Sequence, residues 1–290
     1  MIERGEPPMK LVKIERGGSN AAGLLEGDAV RIVGDWRDGP ADTAPFGWSR
    51  LSRKEIEGRA GRETVPLAAV KLAVPIDPLA KIFCVGMNYR DHVGEIKQDV
   101  ATNPTIFTRS LDTLVPHGAP LIRPKVSEQF DFEGEIAVVI GREARHVRED
   151  DALAHVGGYT CFMDGSLRDY QKHSLTAGKN FARSGAMGPW IVSADEFGGD
   201  RFGVDPLLRT RLNGVEMQSA RASQMIFSIP FAIAYISRWM VLRPGDVIAT
   251  GTPGGVGSRR VPPLWMKAGD RIEVEVEGVG VLSNPVIDEA

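Results

Sequence analysis

Two glutamates, Glu133 and Glu135, stand at the start of an apolar run that ends at Ile140. Side chains two residues apart on a β-strand point to the same face, so a strand over residues 132–140 would hold both carboxylates side by side. Because five apolar residues follow in succession, we expect both faces of this strand to be covered. Two carboxylates near a dry core are unfavourable without a cation, and a hard divalent ion bound through oxygen is the simplest one. The alternative is an exposed strand with two solvated acids.

The third acid is Asp164, which begins the segment Asp-Gly-Ser-Leu-Arg-Asp-Tyr-Gln. If a helix starts near this residue, Arg168 and Gln171 follow at i+4 and i+7 and lie on the same face. A face with a carboxylate, a guanidinium and an amide suits the wall of a polar pocket. It equally suits a solvated surface helix with an ordinary Asp–Arg pair, and the segment alone leaves both interpretations open.

Two glycine-rich stretches lie further along the chain, at residues 177–190 and 251–257. The first carries Lys179, which either meets a carboxylate or an oxyanion or is a solvated lysine in a surface loop. The second contains Thr252 and follows an apolar strand predicted over residues 246–250. It lacks the Gly-Lys-Ser/Thr ending of a P-loop and the βαβ context of a dinucleotide site. Its backbone N–H groups could still cradle an anionic substrate.

A histidine and a glutamate, His92 and Glu95, are three residues apart and become neighbours if this segment forms one helical turn. A carboxylate beside an imidazole orients the ring and raises its basicity, so the pair could draw a proton from a bound water. The alternative is a polar pair on an exposed short helix.

The elements that must position these residues are mostly strands. Strand and turn signals predict short strands at 10–14, 22–25 and 29–33, a loop at 35–46, a buried strand at 81–85 and an amphipathic strand at 271–277. One helix is predicted from Ile229 to Met240, with Ser228 as its N-cap. A proline-bearing connector separates a small N-terminal β-rich domain, residues 1–75, from a larger domain, residues 76–290. We therefore predict a β-rich α+β fold.

Composition narrows the class of protein. The 290 residues include 35 Lys and Arg against 38 Asp and Glu, and the positive charge is scattered, which argues against binding to nucleic acid or to a membrane surface. The two cysteines, Cys84 and Cys161, belong to no paired motif, as is typical of a reducing compartment. We expect no signal peptide, and no apolar run in this sequence is long enough to span a bilayer. We expect a soluble cytoplasmic protein.

These segments together resemble the fumarylacetoacetate hydrolase (FAH) family over residues 79–288. The matching motifs occur in the family's order: Gly-Met-Asn-Tyr before His92 and Glu95, Phe-Glu-Gly-Glu-Ile-Ala-Val-Val-Ile-Gly, Asp-Gly-Ser-Leu-Arg-Asp-Tyr-Gln, Gly-Lys-Asn-Phe, Met-Gly-Pro-Trp, Met-Ile-Phe-Ser-Ile-Pro and Pro-Gly-Asp-Val-Ile-Ala-Thr-Gly-Thr-Pro-Gly-Gly-Val-Gly. The resemblance implies a mixed β-sandwich roll with a small N-terminal β-rich domain, usually assembled as a homodimer.

The resemblance also implies roles for individual residues. It implies that Glu133, Glu135 and Asp164 bind Mg²⁺ or Mn²⁺. It implies a catalytic dyad of His92 and Glu95 on a short helix that closes over the site. The remaining polar residues are expected to stabilise an oxyanion, in the case of Gln171 and Lys179, or to contact the substrate, in the case of Arg168, Thr252 and Arg109.

The chain departs from the common family pattern at a few positions. Met163 stands where Asn is frequent, Ala182 and Arg183 stand where Asp-Thr is frequent, and Arg109 stands where Lys is frequent. We expect these differences to alter the lining of the substrate pocket.

A small anionic 2-oxo acid or 2-hydroxydienoate is the expected substrate, because stabilisation of its enolate by a cation serves several reactions. Our first hypothesis is hydrolysis of a C–C bond in an acylpyruvate-like or 2,4-diketo acid, with His92 as general base. The alternative is an isomerase of the 2-hydroxyhepta-2,4-diene-1,7-dioate type or a 2-oxo acid decarboxylase in aromatic-compound catabolism. A non-catalytic small-molecule binder is a lesser alternative, because a fold does not fix a function.

Overall fold

Strands are the commonest regular element in the described part of the chain. The computed structural model describes residues 9–39, 53–95, 101–194 and 205–290. The strands are β1 (Lys10–Arg16), β2 (Ser19–Glu26), β3 (Ala29–Asp38), β4 (Ala60–Pro66), β5 (Lys71–Ala73), β6 (Ile82–Gly86), β7 (Thr105–Arg109), β8 (Leu114–Val115), β9 (Leu121–Arg123), β10 (Phe130–Asp131), β11 (Gly134–Ile140), β12 (Val156–Met163), β13 (Ser166–Leu167), β14 (Gly185–Ser193), β15 (Leu207–Leu212), β16 (Val215–Arg221), β17 (Val247–Ala249), β18 (Arg271–Val276) and β19 (Gly280–Asp288).

The helices within the described ranges are short. The α-helices are α1 (Arg53–Arg59), α2 (Arg90–Glu95), α3 (Arg168–Gln171), α4 (Leu175–Lys179) and α5 (Ile229–Ser237). The 3₁₀ helices are Leu67–Ala69, Leu111–Thr113, Glu149–His155, Ala222–Gln224 and Gly257–Arg259. No helix in the described part of the chain has the length and apolar character needed to cross a bilayer.

A 12-stranded mixed sheet is the largest element, in the order β4-β3-β2-β1-β14-β12-β11-β17-β6-β7, with β5 added to β1 and β8 to β14. A second sheet of five strands, β16-β15-β18-β19-β9, packs against β11, β12 and β14. Most neighbouring strands are antiparallel, while β17 with β6, β14 with β8 and β19 with β9 are parallel. These two sheets, with a third formed by β10 and β13 alone, confirm the predicted β-rich α+β fold.

The central strand β11 is covered on both faces, as its apolar run predicts. Ile136 and Val138 belong to the core between the two sheets, whereas Ala137 and Val139 belong to a second core on the opposite face. Alternate residues of a strand point to opposite faces, so an unbroken apolar run is the pattern that two cores require. The residues just before this apolar run therefore lie next to a strand that is buried on both faces.

The first five strands form one end of the large sheet. Strand β1 pairs with β14, which places Lys10 beside Val192. The three strands predicted in this region are present as β1, β2 and β3, and each is longer than expected. The strands predicted at 81–85, 246–250 and 271–277 are present as β6, β17 and β18, and none of them is longer than expected. The prediction of a loop at residues 35–46 is wrong at its start. Strand β3 continues to Asp38, which pairs with Ser19 of β2. Residues 40–46 lie outside the described ranges.

The one predicted long helix is α5. The Ser228 side chain accepts a hydrogen bond from the Phe231 N–H at 3.2 Å, which confirms the predicted N-cap. The helix ends at Ser237, three residues before the predicted end at Met240. The N–H groups of Arg238 and Trp239 bond to carbonyls three residues earlier, so the last turn tightens and the α-helix stops.

Candidate active site

The three acids predicted to bind a metal converge in the structure. Glu133 lies just before β11, Glu135 lies on β11, and Asp164 follows the last residue of β12. The Asp164 N–H donates to the Glu133 carbonyl at 2.8 Å, which joins the two chain segments. One oxygen from each carboxylate lies within 4.8 Å of the others, and all three residues are buried. The arrangement is a cluster of oxygen donors and excludes the interpretation as two solvated acids.

The helix predicted from Asp164 is wrong at its start. Residues 166 and 167 form β13, which pairs with β10, and α3 begins only at Arg168. The backbone at Gly165 passes so close to the Ser184 carbonyl that an added Cβ would lie 1.8 Å from that oxygen. The chain is therefore extended where the helix was predicted, and Arg168 and Gln171 reach the site from a separate turn.

Lys179 and Arg168 both form ion pairs with acids of the cluster. Lys179, which is 2% exposed, places its Nζ 2.6 Å from both Glu133 Oε2 and Asp164 Oδ2. Arg168 places Nη2 2.6 Å from Glu133 Oε1 and donates from Nε to Asp131 at 2.8 Å. Burial alone would raise the pKa of Glu133, but Lys179 and Arg168 bring this pKa down to about 2. The surface-loop interpretation of Lys179 is thus excluded.

Glu135 makes no ion pair with a cation in the described ranges. Its Oε2 accepts one hydrogen bond, from the Gly251 N–H at 2.8 Å. Burial, together with the charges of Asp164 and Glu133, raises the pKa of this carboxyl well above its ordinary value. This buried carboxylate therefore has no counter-charge from the described residues of the chain. Three clustered carboxylates with this deficit fit a hard divalent cation such as Mg²⁺ or Mn²⁺.

Arg109, predicted to contact the substrate, lies behind Asp164 instead. Its side chain is fully buried. The guanidinium donates to Asp164 Oδ1 at 2.5 Å, to the Gly165 carbonyl at 3.0 Å and to the Ser184 hydroxyl at 2.8 Å. Nε donates to Thr113 at 3.1 Å. Arg109 therefore acts on the site through the position of Asp164.

This placement predicts an effect of Arg109→Lys on metal affinity. The lysine keeps the charge but cannot reach four acceptors, so Asp164 loses its fixed orientation. We expect the Mn²⁺ dissociation constant, measured by calorimetry, to rise about tenfold, as is usual for groups that orient a metal ligand. Arg183→Lys, at a position outside the cleft, is the matched control. Unchanged Mn²⁺ affinity in a folded Arg109→Lys variant would contradict this role.

The predicted dyad lies on α2. His92 Nδ1 is 3.6 Å from Glu95 Oε2, and His92 is 7% exposed. Burial is the main cause that lowers the pKa of His92, Arg168 lowers it further, and Glu133 and Glu95 act in the opposite direction. The imidazole is therefore neutral near pH 7 and able to accept a proton. Glu95 Oε1 also accepts the Gly255 N–H at 2.8 Å, which fixes α2 against the loop after β17.

The glycine-rich loop after β17 donates its N–H groups to the protein's own carboxylates. Gly251 donates to Glu135, Gly255 to Glu95, and Gly257 to Asp131 at 2.8 Å. The expected cradle for an anionic substrate is therefore largely taken up by these acids. Thr252 lines the cleft, but its hydroxyl donates to the Gly134 carbonyl at 2.9 Å and accepts from Gln218 at 2.7 Å.

A cleft of about 660 Å³ brings most of the predicted residues together. Its lining includes seven of them: His92, Glu133, Glu135, Arg168, Gln171, Lys179 and Thr252. Asp164 and Arg109 lie behind this lining, and Glu95 supports His92. The expectation that the family departures alter the lining is not supported, because Met163 is wholly buried and Ala182 and Arg183 line a separate cavity.

Sequence reasoning missed Asp131 and Asn88. Asp131 is wholly buried and accepts hydrogen bonds from Arg168, Gly257 and Ser258. Its signal was available, because Asp131 continues the alternation of acids two residues before Glu133. Asn88 is wholly buried, and its amide bonds to the Phe227 and Thr250 carbonyls at 2.9 and 2.7 Å. In the sequence, Asn88 is distinguished only as part of the Gly-Met-Asn-Tyr motif.

Comparison with known proteins places the chain in a family. The fumarylacetoacetate (FAA) hydrolase C-terminal family matches residues 81–287. Oxaloacetate tautomerase YisK of Bacillus subtilis (strain 168) is 39% identical over 246 residues, which cover 82% of this chain and 79% of that protein.

Solved structures agree with this match. The 2-hydroxyhepta-2,4-diene-1,7-dioate isomerase from Mycobacterium marinum has a TM-score of 0.77 at 31% identity, covering 97% of this chain and 99% of that one. A fumarylacetoacetate hydrolase from psychrophilic Exiguobacterium antarcticum has a TM-score of 0.81 at 32% identity, covering 97% and 100%. The sequence motifs, the fold and these likenesses agree, and the chain belongs to the fumarylacetoacetate hydrolase family.

Proposed function

We propose that this protein is a divalent-metal-dependent isomerase that interconverts the keto and enol forms of a small anionic 2-oxo acid. In this reaction a C–H bond at C3 breaks, an O–H bond at the C2 oxygen forms, and no other reactant is consumed. The similar proteins named as oxaloacetate tautomerase and as 2-hydroxyhepta-2,4-diene-1,7-dioate isomerase support this class over the hydrolysis that the sequence first suggested.

The observation that carries the proposal is a buried imidazole in the same cleft as the acid cluster. His92 and the carboxylates of Glu133 and Glu135 all line this cleft. A base that is neutral near pH 7 can remove a C3 proton and return it to oxygen. This proton transfer needs one group that accepts and then donates, and His92 provides it.

The acid cluster supplies the other requirement, stabilisation of enolate charge. Glu133, Glu135 and Asp164 would hold the divalent cation, which when bound supplies positive charge to the oxygens of the substrate. Lys179 and Arg168 add fixed positive charge beside the same acids. An enolate oxygen in this position is favoured by charges that are already oriented before the reaction.

Gln171 is positioned to act as a hydrogen-bond donor. Its carbonyl oxygen accepts from Arg168 Nη1 at 2.9 Å, which fixes the side-chain amide in one orientation. The NH₂ group is then the part of the amide that remains available to a substrate, because Gln171 lines the cleft. We assign to it a contact with the C2 oxygen or the adjacent carboxylate.

Rates on three substrate classes test the proposal. Enol-form oxaloacetate, an acylpyruvate and a 2-hydroxymuconate-type acid should each be mixed with Mg²⁺-loaded protein and followed by ultraviolet absorbance and product analysis. We expect rapid conversion of enol to ketone, with neither pyruvate release from oxaloacetate nor cleavage of the acylpyruvate. His92→Ala protein and chelator-treated protein are the controls for uncatalysed ketonisation. Faster C–C cleavage than ketonisation would replace the proposal by the hydrolase hypothesis.

A further inference from the structure

A buried glutamine, Gln218, joins the second sheet to the strand that carries the acid cluster. It lies on β16 and is 2% exposed. Its Oε1 accepts the Gly134 N–H at 3.0 Å, and its Nε2 donates to Thr252 Oγ1 at 2.7 Å and to the Pro253 carbonyl at 2.8 Å. Gly134 is the residue between the two glutamates of the cluster. Gln218 therefore contacts both this strand segment and the loop after β17.

These contacts extend the hydrogen bonding of the large sheet beyond the end of β17. The paired residues of β11 and β17 end at Ala137 and Ala249. Further along the same edge of β11, the Thr252 hydroxyl donates to the Gly134 carbonyl at 2.9 Å, while Gln218 accepts the N–H of this glycine. Side chains thus satisfy backbone groups that a neighbouring strand would otherwise pair. The chain after β17 can therefore leave the sheet and line the cleft.

The partners of this side chain explain why an amide stands here. The Gly134 N–H can only donate and the Pro253 carbonyl can only accept, so a side chain between them must accept at one atom and donate at another. An ionised carboxylate has no donor, and an apolar side chain has neither group. The packing at Gly134 is also tight, because an added Cβ would lie 2.0 Å from Thr210 Oγ1. The position of Gln218 is therefore specified from both sides.

The loop that Gln218 holds also contacts the two functional parts of the site. Gly251 donates to Glu135 of the acid cluster, and Gly255 donates to Glu95 of the dyad, both at 2.8 Å. The two loop residues that Gln218 contacts lie between these glycines in the chain. A shift of the loop at this point therefore changes the orientation of one carboxylate of the cluster and of the group beside the imidazole.

We infer that Gln218 is a positioning residue, which holds the loop over residues 250–257 against β11 and thereby couples the acid cluster to the dyad. This inference rests on the proposed function and adds to it a residue of the second sheet. Gln218 lies behind the lining of the cleft. Its effect on the reaction therefore passes through Gly134 and the loop.

Replacement of Gln218 by methionine tests this role with three measurements. Methionine has a similar length but can neither accept from Gly134 nor donate to the loop. In metal-free protein, amide hydrogen exchange of the peptide over residues 250–257 should accelerate about tenfold relative to that of β12. The Mn²⁺ dissociation constant, measured by calorimetry, should rise about tenfold. At saturating Mn²⁺, kcat for enol conversion should still be about 10- to 100-fold below that of the wild type.

Two control variants separate this role from a general loss of stability. Leu208→Ala removes a buried side chain of the neighbouring strand β15 and should lower the melting temperature without the other three effects. Gln224→Met makes the same substitution at an exposed position, where the side chain accepts the Arg221 N–H, and should also lack these effects. Thr252→Val is a milder second test variant, since it removes the hydroxyl that joins Gln218 to Gly134, and it should accelerate loop exchange in the same direction.

The outcomes distinguish this inference from the proposed function. Loop exchange and Mn²⁺ affinity in Gln218→Met that match those of Leu208→Ala would overturn the inference, as would unchanged loop exchange in Thr252→Val. Full recovery of kcat at saturating Mn²⁺ would overturn the coupling to the dyad, because the variant would then affect metal occupancy alone. A wild-type protein that does not convert the enol would overturn the proposed function, while loop exchange and Mn²⁺ affinity would still decide the role of Gln218.

Discussion

Replacement of Glu135 by glutamine is expected to lower the rate of enol conversion at least about 1000-fold and to abolish stabilisation by Mg²⁺. The amide keeps the size of the side chain but removes the one carboxylate of the cluster that no cation of the described chain pairs with. Loss of one of three charged ligands weakens the bound cation, and with it several kcal/mol of charge stabilisation in the reaction. Melting temperatures with and without Mg²⁺, together with the rates, measure both effects.

The same variant is expected to be more stable than the wild type when no metal is present and the pH is high. Burial, reinforced by Asp164 and Glu133, raises the pKa of Glu135 in the folded protein above its ordinary value of 4.5. Between these two pKa values the folded chain holds a proton that the unfolded chain has lost. The free energy of unfolding of metal-free wild type therefore falls as the pH rises above about 4.5, and glutamine removes this dependence.

Unfolding by urea at about pH 4 and about pH 8 in a chelator checks the sign of this effect. The two proteins should have similar free energies of unfolding at the lower pH, and Glu135→Gln should be the more stable at the higher pH. Glu143→Gln, at an exposed position, is the control and should follow the wild type. If the metal-free wild type instead gained stability relative to Glu135→Gln from the lower to the higher pH, burial would not raise the pKa of the Glu135 carboxyl.

Replacement of His92 by alanine is expected to lower the rate of enol conversion by about 100- to 10,000-fold, the usual effect of removing a general base or acid. Affinity for Mn²⁺ should remain, because His92 is not among the three carboxylates that would hold the cation. Glu95→Gln should lose less, since the amide still accepts the Gly255 N–H and only the negative charge beside the imidazole is removed. Rates and Mn²⁺ calorimetry on the same preparations separate these roles.

The pH dependence of the rate provides a second check on His92. Burial lowers the pKa of this imidazole below its ordinary value of 6.5. A base acts in its neutral form, so kcat/KM should rise as the pH rises through this lowered pKa and remain level above it. The midpoint of the acidic limb should therefore lie below 6.5 and should be absent in His92→Ala. An acidic limb that the variant retains would assign the titration to another group.

Local spacing predicted the Glu133–Glu135 pair, whereas the convergence of Asp164 on this pair was implied by the family resemblance. An apolar run after two acids required a buried strand, and β11 is buried on both faces. The His92–Glu95 pair was predicted for the same reason, since a three-residue spacing on one helical turn determines the contact. These features depend on neighbours along the chain, so a single sequence contains the information.

Features that depend on distant packing were not predicted from the residues. Helical spacing suggested that a helix starts at Asp164, whereas pairing of this residue with Glu133 and of β13 with β10 keeps the chain extended. The burial of Arg109 depends on Ser184, 75 residues away, which no local pattern reveals. Asp131 was overlooked because its partners, Gly257 and Ser258, come from a loop more than a hundred residues later. Tertiary contacts decided each of these cases.

The position of a bound cation tests the central claim most directly. Crystals soaked with Mn²⁺ should give an anomalous-difference peak at the point where the carboxylates of Glu133, Glu135 and Asp164 converge, and crystals of Glu135→Gln should show a much weaker peak at the same place. A peak elsewhere in the protein would contradict the account. The absence of any peak in wild-type crystals would also contradict it, provided that the same enzyme is active in solution with Mn²⁺.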